Sequence, residues 1–321
     1  ADQQVGLMFV VVFGCLVLLT AGVFLWSLRE QPEGAGGDTR RLVLQRAGVL
    51  VRSSWLMVVV FWIGWLAGES TATVLFGMVS FLALREFMSL SPTRRGDHRS
   101  LVLAFFVILP LQYVLVGTRL FNLFTVFIPV YVFLALPVVS ALANDPLRFL
   151  ERNAKLQWGI MVCVYGMSHV PALLLLEFPS FGGRSAFLVF FLVLVVQVCM
   201  VVQYLVAHRL ARAPVAPAIS SSFEWRSFGI GVAAGSLVGG VLAGITPFKP
   251  GQAVAMACVA CVAGAMGHLV MKAIKRDRGI PNWGSQGASV TGANGLLDRV
   301  DALCFAAPVF FHSVRWYFGL Q

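Results

Sequence analysis

The sequence predicts an all-α fold: a polytopic integral membrane protein of about ten transmembrane helices in a single membrane domain, 1–321, with a polar cytosolic loop before the last helix. Three observations predict it. Of 321 residues, 59% are hydrophobic and only 12% are charged, too apolar a balance for a soluble fold. Apolar runs of roughly 17 to 25 residues, the length that crosses a bilayer core as helix, recur from one end to the other. Charge alternates as well: numbering the spans in order, the loops after odd-numbered spans and the span ends that border them carry 20 of the 24 Lys and Arg residues, and only Arg119, Arg184, Lys249 and Arg315 fall on the opposite side. That asymmetry places the basic loops in the cytoplasm and both termini away from it, in an inner membrane. The net charge of +10 therefore reports topology and attraction to anionic lipid, and nucleic acid is not expected as a partner.

The ten spans read 5–27, 49–66, 71–84, 101–118, 121–143, 157–176, 186–207, 228–246, 252–272 and 301–318. The first lacks a basic leader and a small-residue cleavage site, so it reads as a retained helix. Residues 28–48 set Gly34, Gly36 and Gly37 among charges and form a loop; residues 91–100 form a second polar turn. Glu86 ends the third span as an ionisable group that the hydrocarbon would penalise. In the sixth, His169 precedes Pro171, either as a neutral ring bonded to a carbonyl freed near the proline or as part of a cavity. Gln197 and Gln203 in the seventh project within about 120° of each other, to line one polar groove or to bond neighbouring helices. The eighth carries Gly231, Gly235 and Gly239 at intervals of four, with Gly240 and Gly244 beside them. Small residues at that spacing let backbones approach closely, so this helix is central to the bundle or dimer-forming. The ninth holds Cys258-x-x-Cys261; since all six cysteines lie in apolar spans, buried thiols are expected rather than disulfides or redox chemistry.

The segment after the ninth span is too rich in charge and glycine for a linker. It runs Lys272-Ala-Ile-Lys275-Arg276-Asp277, passes Gly279, Asn282 and Gly284, and closes on Thr291-Gly-Ala-Asn-Gly295-Leu-Leu-Asp298-Arg299-Val-Asp301. Fixed carboxylates, fixed cations and permissive glycines beside a membrane suit phosphate and metal chemistry on a lipid. Over about 264–311 the chain resembles the phosphatidate cytidylyltransferase family, the CDP-diacylglycerol synthases, whose signature reads S-x-x-K-R, four residues, K-D-x-G, a P-G-H-G-G turn, two residues and D-R-x-D. Lys275 and Arg276 match K-R, Gly284, Gly292 and Gly295 match glycines of the pattern, and Asp298-Arg299-Val-Asp301 match D-R-x-D. The apolar run Ala306–Phe311 is similar to the family's last helix.

The resemblance implies transfer of CMP from CTP to phosphatidic acid, giving CDP-diacylglycerol and pyrophosphate in phospholipid biosynthesis, with CTP, phosphatidic acid and anionic lipid as ligands and a homodimer as the assembly. It implies that Asp298, Lys275 and Arg299 are catalytic, that Arg276, Lys272, Ser220, Tyr204, Gly292 and Gly295 bind substrate, and that Asp298, Asp301 and Asn282 hold one Mg²⁺. The departures are concentrated where a second cation would sit: Lys272 stands for the signature serine, Pro281-Asn282 for K-D, and upstream Met200 replaces the aspartate of the family's D-x-x-A-Y element while Tyr204 keeps its tyrosine. After Ser220 the family's P-x-K-T is absent. One unit charge added about 4 Å from a divalent ion repels it by roughly 8 kcal/mol at an effective dielectric near 20, before screening. Two alternatives remain at the level of sequence. A catalytically silent homologue would bind anionic lipid or phosphate and act through a partner protein; a transporter or flippase would explain the helices but not the D-R-x-D cluster.

Overall fold

The computed structural model describes residues 68–320 apart from 90–92, 179–184, 211–212, 221–222, 281–282 and 284–294, together with isolated positions between 13 and 25. By contacts the chain divides into two compact units, 1–72 and 73–321. The first two expected spans lie outside the described residues, except for isolated helical positions such as Phe13 and Phe24.

Eight helical stretches match the third to tenth expected spans: α1 Glu69–Ser89, α2 Arg95–Gly117, α3 Phe121–Ala141, α4 149–174, α5 Ala186–Leu210, α6 Trp225–Val241, α7 Pro250–Asp277 and α8 Leu297–Phe318. Six of them, all but α4 and α8, are long and apolar enough to cross a membrane. The protein is thus an all-α, multi-pass membrane protein. α5 and α7 each lie against α6, α8 and one another, α4 lies against α5 and α8, and α2 and α3 lie against α4. Several helices begin earlier than their apolar runs, α4 and α8 among them. α4 starts at Phe149, eight residues ahead of the expected span, on an amphipathic turn holding Glu151, Arg152 and Lys155; α8 starts at Leu297, so Asp298 and Asp301 stand on its first two turns and not in a loop. A carboxylate in a first turn suits the positive end of the helix dipole.

The loops separate by charge onto two ends. At the basic end, the Arg152 guanidinium bridges Asp145 (2.5 Å) and Asp97 (3.1 Å), tying the α3–α4 loop to the first turn of α2, and it holds the Asp145 carboxyl below the usual carboxylate range. At the other end Arg119 pairs with Glu177, Arg315 donates to Asn122 (2.9 Å), and Phe318 packs on Phe178 and Phe248.

Prolines determine how the helices dock. A proline lacks the N–H that would satisfy the carbonyl four residues earlier, and lipid offers no donor in its place. Pro137 leaves Phe133 O, which accepts a bond from Gln157 Nε2 at 2.9 Å. Pro129, within a π-helical turn at Phe127–Val132, leaves Thr125 O, which accepts one from Tyr165 Oη at 3.3 Å. Pro308 leaves Cys304 O in α8, and that oxygen packs on Gly166 so closely that an added Cβ would lie 2.3 Å away. Gln157, Tyr165 and Gly166 all belong to α4. This helix is the common partner of the carbonyls that prolines free in α3 and α8.

The eighth-span glycines seat α6 against α5 and α7. Gly231 packs on Cys199 O and Gln203, Gly235 on Cys261 Sγ and Val195 O, and Gly239 on the Ala257 methyl, so the stripe is spent between α5 and α7 within one chain. Gln203 is buried there while Gln197 is exposed, and the two do not form a shared groove. Cys261 donates to Val195 O (3.3 Å), and the described cysteines are free thiols. His169 is fully buried and bonds a backbone carbonyl, that of Tyr165 at 2.7 Å, among the rings of Phe124, Phe311 and His312; it lines no cavity to the exterior.

Candidate functional site

At the basic end, α7 presents His268, Lys272 and Lys275 at intervals of four and three, the spacing that keeps side chains on one face of a helix. Each meets an oxygen supplied by another element. Lys275 Nζ donates to Asp298 Oδ1 at 2.5 Å; His268 Nδ1 donates to Asp301 Oδ2 at 2.7 Å; Lys272 Nζ lies 3.4 Å from Ser220 Oγ. Ser220 is buried in the α5–α6 loop, where its own N–H bonds Ala216 O at 2.8 Å. α7 and α8 come close enough for these pairs because Gly264 and Gly267 remove side chains from the contact: a Cβ on Gly267 would lie 2.1 Å from the Phe305 ring.

The remaining carboxylate oxygens are also engaged. Asp298 Oδ2 accepts the backbone N–H of Trp283 (2.9 Å), and Asp301 Oδ1 accepts that of Ala302 (2.6 Å). The Asp301 side chain is only 3% exposed, against 26% for Asp298. Asp298 thus faces the accessible part of the cluster, and Asp301 its floor.

A residue far away in sequence anchors the start of α8. Glu86, near the end of α1, accepts the N–H groups of Gly295 (2.6 Å) and Leu297 (2.9 Å), taking up donors at the start of α8 that would otherwise have no helical partner. Gly295 has φ +77°, a left-handed conformation that glycine adopts without strain, and Trp283 stacks on Phe87 with centroids 5.5 Å apart. The polar segment is therefore clamped to α1 by neighbouring residues, Glu86 and Phe87. Glu86→Ala should lower the melting temperature of the purified protein, corresponding to a loss of about 2–3 kcal/mol for two charge-assisted bonds, and Glu86→Gln should recover part of it.

Of the residues expected from sequence, Lys272, Lys275, Asp298, Asp301, Ser220 and Gly295 belong to this cluster or its anchor. Arg276 is exposed at the end of α7; Arg299 follows Asp298, half-buried and near enough to Glu86 to act on its charge. Tyr204 is 57% exposed on α5 and takes no part in these pairs. Asn282, Gly284 and Gly292 lie outside the described residues. Sequence reasoning missed His268 and gave Glu86 no role. The signal for His268 was available: an ionisable group within an apolar span, one helical turn before Lys272.

The family resemblance implies Mg²⁺, and the donor set can be tested against it. Magnesium asks for one or two carboxylates with free lone pairs facing a common point. Here each oxygen of Asp298 and Asp301 already accepts a hydrogen bond, and Asp298 is in direct contact with an ammonium group. Among the described residues, no three His, Cys, Asp or Glu side chains converge as a ligand set. As arranged, the residues described do not fit a divalent ion.

Comparison with known proteins gives two findings. The model of the cytidylyltransferase family matches residues 49–317. The chain is also 33% identical over 309 residues to the Escherichia coli (strain K12) protein whose name reads "Uncharacterized protein YnbB", covering 95% of this chain and 96% of that one.

Proposed function

Because the chain belongs to the cytidylyltransferase family, that of the phosphatidate cytidylyltransferases, we propose that it transfers CMP from CTP to phosphatidic acid, giving CDP-diacylglycerol and pyrophosphate at the cytoplasmic face of an inner membrane. Membership supports the coarser statement, a CTP-dependent nucleotidyl transferase. The observation that supports the finer one is the position of Lys272 and Lys275, two ammonium groups on one face of α7 where apolar helices give way to the basic loops. A phosphate carried on two acyl chains would meet those cations while its tails stay in the hydrocarbon.

In the reaction, an oxygen of the lipid phosphate bonds to the α-phosphorus of CTP, the bond from that phosphorus to the oxygen bridging to the β-phosphate breaks, and pyrophosphate leaves with the bonding pair. Such a transfer depends on positioning and charge stabilisation more than on covalent help from the protein. Lys275, oriented by Asp298, and Lys272, oriented by Ser220, neutralise the phosphates. Arg276, exposed at the end of α7, meets the nucleotide from solvent, and Arg299 adds a further cation beside the cluster. Gly295, in its left-handed conformation, lets the backbone before α8 approach a phosphate.

One observation favours a second reading, a silent homologue that binds lipid phosphate and acts through a partner protein: every oxygen of the two carboxylates already accepts a bond from the chain's own donors. Radiolabelled CTP supplied to purified protein in phosphatidic-acid vesicles separates the two. Label appearing in the lipid fraction is expected; no lipid product under conditions where an authentic family member works would reject the transferase and leave the silent homologue.

A further inference from the structure

The carboxylates of α8 face cations that belong to the chain itself. Lys275 holds Asp298 at 2.5 Å, His268 holds Asp301 at 2.7 Å, and Lys272 stands between them on the same face of α7, bonded to nothing more acidic than the Ser220 hydroxyl. A site that used a divalent ion to join carboxylate to phosphate would present the carboxylates open and keep fixed ammonium groups away from them, since like charges repel. This cluster does the reverse.

We propose that Lys272 and Lys275 take the place of a divalent cation in this site, so that the acceptor phosphate is seated directly on ammonium groups and its binding requires no metal ion. The inference rests on the reading that the ligand is a lipid phosphate, and it deepens that reading by naming what neutralises the phosphate. Lys275 is held in place by Asp298 and keeps donors for the ligand, because an ammonium group has three and the carboxylate takes one. Lys272 is the more available of the two, since its partner is a neutral hydroxyl at 3.4 Å. His268 covers Asp301 from the buried side, and with Ala302 N it occupies both oxygens of that carboxylate. Any divalent ion bound to the nucleotide in solution is a separate matter, because it would arrive with CTP and not through these carboxylates.

The test uses the full chain in detergent, with two probes. Mn²⁺ alone, followed by electron paramagnetic resonance, reports a divalent site; a fluorescent phosphatidic acid, titrated in EDTA or in excess MgCl₂, reports the lipid phosphate. We expect no Mn²⁺ site that Asp298→Ala removes, lipid affinity the same within about twofold in the two buffers, and a loss of about tenfold in EDTA for Lys272→Ser, the scale of one charge-assisted bond. Lys272→Gln, which keeps the length of the side chain, serves if the serine variant is not monodisperse. A saturable Mn²⁺ site abolished by Asp298→Ala, or lipid binding that appears only with MgCl₂, overturns the inference while the lipid reading stands. Absence of lipid binding in both buffers overturns the lipid reading, and the Mn²⁺ titration still decides whether the carboxylates take a metal.

Discussion

Gly166→Ala is expected to reduce the recovery of folded protein at least about tenfold, as measured by size exclusion after mild solubilisation, while Gly244→Ala matches the wild type. The new methyl would sit 2.3 Å from Cys304 O and 3.2 Å from Cys304 Cα, whereas nothing lies within 4 Å of the corresponding position on Gly244. Backbone cannot swing aside as a side chain can. Relief requires α4 and α8 to separate, and an overpacked interior contact of this kind costs about 3 kcal/mol or more. Separation would also disturb Gln157 and Tyr165, which bond the proline-freed carbonyls of α3. A contrasting substitution is Gly159→Ala, whose methyl meets side chains and not backbone, the flexible end of Met88 and the Phe87 ring, and should be tolerated better.

Asp298→Ala should lower CMP transfer by at least about 100-fold, roughly 2.7 kcal/mol of transition-state stabilisation. It removes the acceptor of Lys275, whose side chain is only 12% exposed, and the acceptor of the Trp283 N–H. Lys275 is then free to leave the position in which it would meet a phosphate. Asp298→Asn separates charge from shape: its one oxygen can serve Trp283, which leaves Lys275 without its charged acceptor. A role in positioning Lys275 predicts that the asparagine variant retains its melting temperature but loses turnover, with most of the effect in kcat. Loss of stability without a change in kcat per folded molecule would instead assign Asp298 to structure alone.

The fold was legible because the bilayer fixes helix length and leaves few alternatives; spans three to ten reappear as α1 to α8. What local pattern misjudged was where helices begin. The charged turn 149–156 of α4 and the Asp298 turn of α8 are helical because their polar side chains have partners: Arg152 between two aspartates, Asp298 between Lys275 and Trp283. Hydropathy alone cannot register such compensation. The glycine stripe of α6 was visible as a packing surface, but its partner was not, since close approach between helices carries no mark of which chain supplies the second backbone. At the site, the signature spacing brought Lys275 and Asp298 into view together. Glu86 escaped because its bonds to Gly295 and Leu297 span more than 200 residues, beyond any local periodicity.

The docking of proline-freed carbonyls on α4 has a bearing on biogenesis. The oxygen opposite Gly166 belongs to α8, which is synthesised well after α4, and α8 also supplies the aspartates that pair with α7. Until α8 has been made, α4 can engage α3 but has an open groove where α8 belongs. A ribosome that stalls before residue 297 would release a membrane intermediate whose middle helix lacks its closing surface, a form that intramembrane quality control could distinguish from the finished protein.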